Sequence, residues 1–293
     1  MTPTAPQQIK ARYHHSSFRF SRWILLIKKH WAENSRRYLL SLLAIAGLQI
    51  AWYSFILAMD KYDPLDTFFQ YSAYFVGLYL VGCLYANSLF TALSSRKEGL
   101  GYLALPASQL EKLLCTVLFG VVFFFISFTL LFYLVDIPMV QFANHLIVKY
   151  PRFIPDTNQL IQPVKVYNIF TAEGGMIPEK NFHTFLLGYF AVQSAFLLGS
   201  VYFTRYSFIK TVVYALLFML VFVVFQSQIL QYMLPDGWHT DLTFWHKGDF
   251  LAGEEQIVRL SSLTEKLFIY LAFFSLPPIF WVIAYYRLKE KEL

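Results

Sequence analysis

Charge is scarce in this chain. Asp, Glu, Lys and Arg make up 14% of its 293 residues and hydrophobic residues 57%, where an ordinary soluble domain carries about 25% charged residues. That balance, with a mean hydropathy of +0.48, excludes a soluble globular domain. Glycine is also sparse, 13 residues against 31 Phe and 20 Tyr, which excludes a collagen-like, linker-like or disordered chain. The two cysteines, Cys83 and Cys115, are too few for a disulfide framework or a four-cysteine zinc site. No Gly-Lys pair occurs, so the chain has no P-loop to cradle nucleotide phosphates. His-Glu-x-x-His, Gly-x-Ser-x-Gly and Gly-x-Gly-x-x-Gly are absent as well, so the chain is expected not to be an enzyme and to need no cofactor. The first 22 residues are polar and basic, unlike a secretory signal, and insertion is expected to rely on an internal apolar segment.

What the chain does have is apolar runs of membrane-spanning length. A hydrocarbon core of ~30 Å takes about 20 helical residues, and six stretches qualify: 38–59, 68–93, 113–135, 183–204, 211–234 and 267–286. None has a charged residue in its interior. The expected fold is an all-α membrane protein with six transmembrane helices, an N-terminal cytoplasmic amphipathic helix and a small outer cap between spans 3 and 4. Residues 1–17 read as a flexible arm, 18–37 as the amphipathic elbow helix, and 38–293 as the six-span domain with an outer insert at 136–182.

Lys and Arg resist translocation and so set orientation. Sixteen of the 24 cations fall in the N-terminal arm, the loop after span 2, the turn after span 4 and the C-terminal tail. Thirteen of the 18 acids fall on the opposite side. Both termini are therefore expected in the cytoplasm, with the protein a multi-pass resident of a bacterial inner membrane. The net charge of +6 comes from short juxtamembrane clusters suited to anionic lipid. A stripe of cations interleaved with stacking aromatics is lacking, which argues against nucleic acid as a partner.

Between spans 2 and 3 the chain reads Ser94-Ser-Arg-Lys-Glu-Gly-Leu-Gly-Tyr-Leu-Ala-Leu-Pro-Ala-Ser-Gln-Leu-Glu-Lys112. Gly99 and Gly101 permit positive φ after span 2, and Pro106 bars a helix from continuing through Leu105. Ser108 and Glu111 have the spacing of a capping box, so span 3 is expected to begin there. Leu103, Leu105 and Leu110 are apolar residues on a polar turn; either the elbow helix or a partner covers them. Trp23 and Trp31 fall on nearly one face of the elbow, at a spacing that suits an interfacial helix. The outer connection 136–182 holds five prolines, yet 139–148 and 160–170 are apolar enough for short helices or strands lying on the outer membrane face. The last outer loop, 235–264, reads as an aromatic interface belt or a re-entrant hairpin. Pro277-Pro278 should kink or break span 6.

Among the polar residues inside the spans, Gln49, Asn87, Gln193, Ser194, Gln226, Ser227 and Gln228 are singled out. Such groups either glue helices together or line a path; for a path, Gln193, Gln226, Ser227 and Gln228 are the candidates. Asp236, His239, Asp241, His246 and Asp249 share the last outer loop, but their spacing matches no zinc signature, and no metal is expected.

Three pieces of this pattern, in order, resemble the six-span membrane subunits of type-2 ATP-binding-cassette (ABC) exporters, in particular small permease-like proteins of Bacteroidetes. They are the basic run Phe20-Ser-Arg-Trp-Ile-Leu-Leu-Ile-Lys-Lys-His-Trp31, the stretch Leu105-Pro-Ala-Ser-Gln-Leu-Glu-Lys112, and the tail Tyr286-Arg-Leu-Lys-Glu-Lys291. The resemblance implies a dimer of membrane subunits, homo- or heteromeric, seated on a separate ABC ATPase subunit whose hydrolysis drives export. It makes Arg96, Lys97, Glu98, Tyr102, Leu103, Leu105, Pro106 and Ser108 a partner-coupling surface without catalytic chemistry. One departure is that this chain's longest outer loop follows span 3, where the family elaborates the loop after span 5. The alternative is a non-transporting scaffold or sensor that binds an envelope partner through its outer loops.

Overall fold

A computed structural model describes residues 18–59, 65–90, 99, 105–151, 153, 160–169, 179–203, 205–233, 238–240, 244–247, 256–259 and 262–290. The flexible arm expected at 1–17 lies outside them. Long helices dominate: α1 (Phe20–Met59), α2 (Thr67–Ser88), α3 (Gln109–Lys149), α4 (Glu179–Tyr202), α5 (Ser207–Met233) and α6 (Ser262–Glu290). Five of these, α1 to α5, contain segments long and apolar enough to cross a membrane. The chain has the architecture of a multi-pass membrane protein. Between α5 and α6 the strands β1 (Trp238–Thr240), β2 (Phe244–Lys247) and β3 (Gln256–Arg259) form an antiparallel sheet, with His239 opposite His246 and Trp245 opposite Val258. A small antiparallel sheet thus occupies the loop where an aromatic belt or a re-entrant hairpin was expected.

Helix α1 corrects the expectation of a separate elbow. Its 40 residues form one helix of about 60 Å, roughly twice the hydrocarbon thickness. The reason is visible in the sequence: neither Gly nor Pro occurs from Phe20 to Ala46, so nothing stops the helix at the change from basic to apolar residues. The amphipathic half is therefore rigidly continuous with the apolar half.

Helix α3 corrects a second boundary. It runs 14 residues past the expected end of span 3, to Lys149, with Pro138 inside it. Asp136, expected as the first residue of the outer insert, is instead fully buried in the helix and accepts a hydrogen bond from the Tyr53 hydroxyl of α1 at 2.7 Å. Six residues of α3, Leu118–Phe123, form a π turn. In α6 the helix runs through Pro277-Pro278 without a break.

Contacts fix the directions of the helices. Helices α1 and α3 run parallel, since Arg22 meets Glu111 near one end and Tyr53 meets Asp136 toward the other. Helix α2 is antiparallel to both: Tyr85 sits edge-on to Tyr38, and Phe69 to Tyr53. Helix α4 runs parallel to α2 through Phe75–Phe185 and Tyr79–Tyr189. Helix α6 follows α4, with the Arg287 guanidinium 4.7 Å from the Tyr202 ring centroid. The start of α1 and the end of α6 thus lie at the same end of the bundle.

Aromatic packing makes the core. Tyr71, Tyr74, Phe75, Phe124, Phe128, Phe132 and Tyr189 fill the space between α2, α3 and α4. Close approach is required at Gly82, where an added Cβ would lie 2.7 Å from a Tyr189 ring carbon, a small-residue contact of the kind membrane helices use. The opposite situation holds along α5. Ile209, Val213 and every residue from Leu216 to Val221 are exposed, on all sides of the helix, as suits a helix surrounded by lipid.

At the other end of the bundle, residues 161–169 have no regular secondary structure and are held in place by side-chain amides. Asn144 exchanges two 2.8 Å hydrogen bonds with the backbone of Val164. Gln70, fully buried, donates to the carbonyls of Leu65 and Lys165 and accepts from the Tyr167 amide. The Ile169 amide donates to the Tyr133 hydroxyl at 3.0 Å. Tyr167 and Ile169 are each 1% exposed, packed into the aromatic core. Leu65, which accepts from Gln70, has φ 64°, a left-handed conformation that costs a branched residue about 1–3 kcal/mol unless its surroundings hold it there.

Candidate functional site: a clamp at the start of the third helix

The residues that start α3 do so by local chemistry. The Ser108 side chain accepts the Glu111 amide at 3.2 Å, and a Glu111 carboxylate oxygen accepts the Ser108 amide at 2.8 Å. This is the expected capping box, with both reciprocal bonds made. Before it, Leu105 and Pro106 turn the chain, closed by the Ala107 amide on the Leu105 carbonyl at 2.7 Å.

Glu111 does more than cap. It is fully buried, and its other oxygen accepts the backbone amide of Arg19 at 2.7 Å and the Arg22 guanidinium at 3.1 Å. One carboxylate therefore joins the N-terminus of α3 to the beginning of α1. Three donors, two backbone amides and a guanidinium, compensate its burial together with the positive end of the α3 helix dipole. The beginning of α1 thus meets the capped turn at Glu111; of the three leucines of this turn, Leu110 is 41% exposed, Leu105 is half-buried and Leu103 lies outside the described residues.

The clamp continues upward as an aromatic seam onto the π turn. Trp31 lies 6.4 Å from Phe119 in a stacked arrangement and edge-on to Phe123 at 5.4 Å. His30 and Tyr38 also pack on Phe119, and His30 Nε2 shares a hydrogen bond of 2.5 Å with the Tyr38 hydroxyl. Trp31 is therefore in contact with α3 as well as 46% exposed. At the far side of the same turn, the Phe124 amide reaches the carbonyls of Phe119 and Val121 and bypasses that of Gly120. The side chain of Gln193 on α4 supplies the replacement donor, 2.6 Å from the Gly120 oxygen. A π turn of this kind, spliced into a long helix and held from both sides, is a frequent mark of functional sites.

Of the residues expected to couple to a partner, Leu105, Pro106 and Ser108 sit together at the clamp; Arg96, Lys97, Glu98, Tyr102 and Leu103 lie outside the described residues. Gln193, expected on a cargo path, is buried and bonded to the π turn, a helix-gluing role. Asn87 plays a similar role, accepting a hydrogen bond from the Ser207 hydroxyl at the start of α5. Gln228 is exposed on α5, and the side chains of Gln226 and Ser227 lie outside the described set. Among the described residues no three His, Cys, Asp or Glu side chains converge as metal ligands would. Sequence reasoning missed Arg19, Arg22, Gln70, Asn144 and Asp136. Asp136 carried a signal as an acid adjoining an apolar run, and Gln70 as an amide inside span 2. Comparison with protein families, with curated proteins and with solved structures finds no match to this chain.

Proposed function

We propose that this chain is the membrane subunit of an ABC-type exporter. In this reading six helices, α6 included, cross a bacterial inner membrane with both termini in the cytoplasm. The subunit pairs with a second membrane subunit, and a separate ATPase subunit docks beside the clamp and supplies the energy for moving a cargo outward. The observation that supports it is the double attachment of Glu111 to α1 and α3. A push on the 105–108 turn reaches two parallel helices at once, and the π turn gives the second of them a place to respond. The chain itself contributes binding, packing and motion, with the nucleotide chemistry on the partner.

Purification from native membranes in mild detergent tests this reading. A P-loop ATPase should co-purify, and Leu105→Asp together with Glu98→Ala should release it while the membrane subunit still elutes as a folded species. Absence of any ATPase from the native preparation, or its full retention by the double variant, would overturn the proposal. A second reading, a scaffold or sensor for an envelope partner, is favoured by the anchored 161–169 segment. Under that reading no ATPase should co-purify, and deleting residues 151–178 should abolish association with the envelope partner.

A further inference from the structure

A cavity of about 350 Å³ lies where α1, α2 and α3 meet, just beyond the aromatic seam. Its walls include Ser41, Ala44 and Ile45 of α1, Leu84 of α2, and Phe123 and Ser127 of α3. Ser41, Ala44 and Leu84 are exposed, so the opening faces sideways, out of the bundle. The volume is at the low end of small-ligand sites, which run from roughly 300 to 1,000 Å³. A helix ~10 Å across does not enter such a space, whereas one extended hydrocarbon chain does. The lining is almost wholly apolar side chains and aromatic rings, which offers nothing to a hydrated solute.

The position of charge identifies the other end of the occupant. Residues 38–59 carry no charged side chain and are preceded directly by Arg36 and Arg37, both exposed. These two cations mark the membrane interface on the side where α1 starts. Arg37, Ser41 and Ile45 follow one another at four-residue intervals and so form one stripe of α1. From Arg37 to Ile45 the helix rises ~12 Å, close to the ~15 Å depth of one leaflet's hydrocarbon. A chain lying along that stripe with its phosphate on the Arg37 guanidinium enters the cavity through its sideways opening. The geometry points to a binding site for an anionic phospholipid of that leaflet, one acyl chain in the cavity and its headgroup on Arg37. The site seats a lipid against the π turn through Phe123, whether or not an ATPase is bound.

The test uses the full-length protein in nanodiscs containing phosphatidylglycerol or phosphatidylcholine, each with a diazirine in one acyl chain, followed by mass spectrometry of labelled peptides. Label should concentrate on residues 38–45, 81–85 and 123–127 above the level on the exposed helix α5. Phosphatidylglycerol should label these peptides about fivefold more than phosphatidylcholine, the ratio that one basic residue's attraction to anionic lipid supplies. Ala44→Phe, which fills the cavity, should abolish the excess while labelling of α5 persists. Ser127→Phe closes the same space from α3 and serves if the first variant fails to elute as a folded species. Arg37→Gln should keep the labelled positions and lose the headgroup preference. Excess labelling that survives in a folded cavity-filled variant would overturn the site, as would labelling no greater than on α5. An unchanged preference in Arg37→Gln would overturn the headgroup assignment.

Discussion

Glu111 is the residue on which the terminal end of the bundle is organised, and its partners make a graded prediction. Removing it by Glu111→Ala deletes one half of the capping box, the acceptor for Arg19 and the ion pair with Arg22. Hydrogen bonds to charged groups contribute about 1.5–3 kcal/mol each and a cap about 1 kcal/mol, not additively, so a total loss of about 2–4 kcal/mol is expected. Arg22→Ala removes the bond to Glu111 from a partly exposed side chain and should cost only about 1 kcal/mol. Arg19→Ala should be close to neutral, because the backbone amide is the donor there. Thermal unfolding of the three variants in detergent checks the order; equal shifts for Glu111→Ala and Arg19→Ala would refute the clamp. The capping box was legible because its two residues are three apart and its chemistry is local. The bonds to Arg19 and Arg22 span about ninety residues and left no trace in local pattern. The same holds for Gln193, a span polar residue whose partner is a backbone carbonyl exposed by an irregular turn.

The boundaries of the elements show which local signals were overruled. Asp136 and Pro138 look like the start of a loop, and α3 nevertheless continues through them. Pro138 costs one hydrogen bond, to the carbonyl one turn back, and a membrane helix tolerates that when its neighbours compensate. Asp136 receives the Tyr53 hydroxyl, a donor 83 residues away. The outer connection was expected to form short helices or strands; residues 139–148 instead belong to α3, and residues 161–169, without regular secondary structure, are held by side chains on helices far away in sequence. Gln70 replaces the strand partner this segment lacks, accepting from one backbone group and donating to another. Gln70→Ala should therefore release the segment while the helices keep their packing. Amide exchange should rise by at least tenfold at Tyr167 and its neighbours, with α2 and α3 unchanged. Uniform acceleration across α2 would mean that Gln70 supports the helix and not the segment.

At the scale of the whole molecule, α1 and α3 run one way and α2, α4 and α6 the other, and the placement of cations carries the expectation of which end faces the cytoplasm. Basic residues decide which segments stay behind during insertion, a rule that acts on sequence and needs no tertiary contact. Two of the helices, α1 and α5, are poorly buried by the rest of the chain, so bilayer contact makes up much of their surroundings. Packing cannot report which side is which; a chemical label can. The native cysteines, Cys83 and Cys115, are both buried, so a cysteine placed at either end of the bundle is read against a quiet background. Lys149→Cys places one at the end of α3, and Lys289→Cys places one in the last turn of α6, at the opposite end of the bundle. A membrane-impermeant maleimide applied to spheroplasts should label the first directly and the second only after permeabilisation. Labelling of both without permeabilisation would break the alternation, remove the clamp from the cytoplasm and with it the surface on which an ATPase would dock.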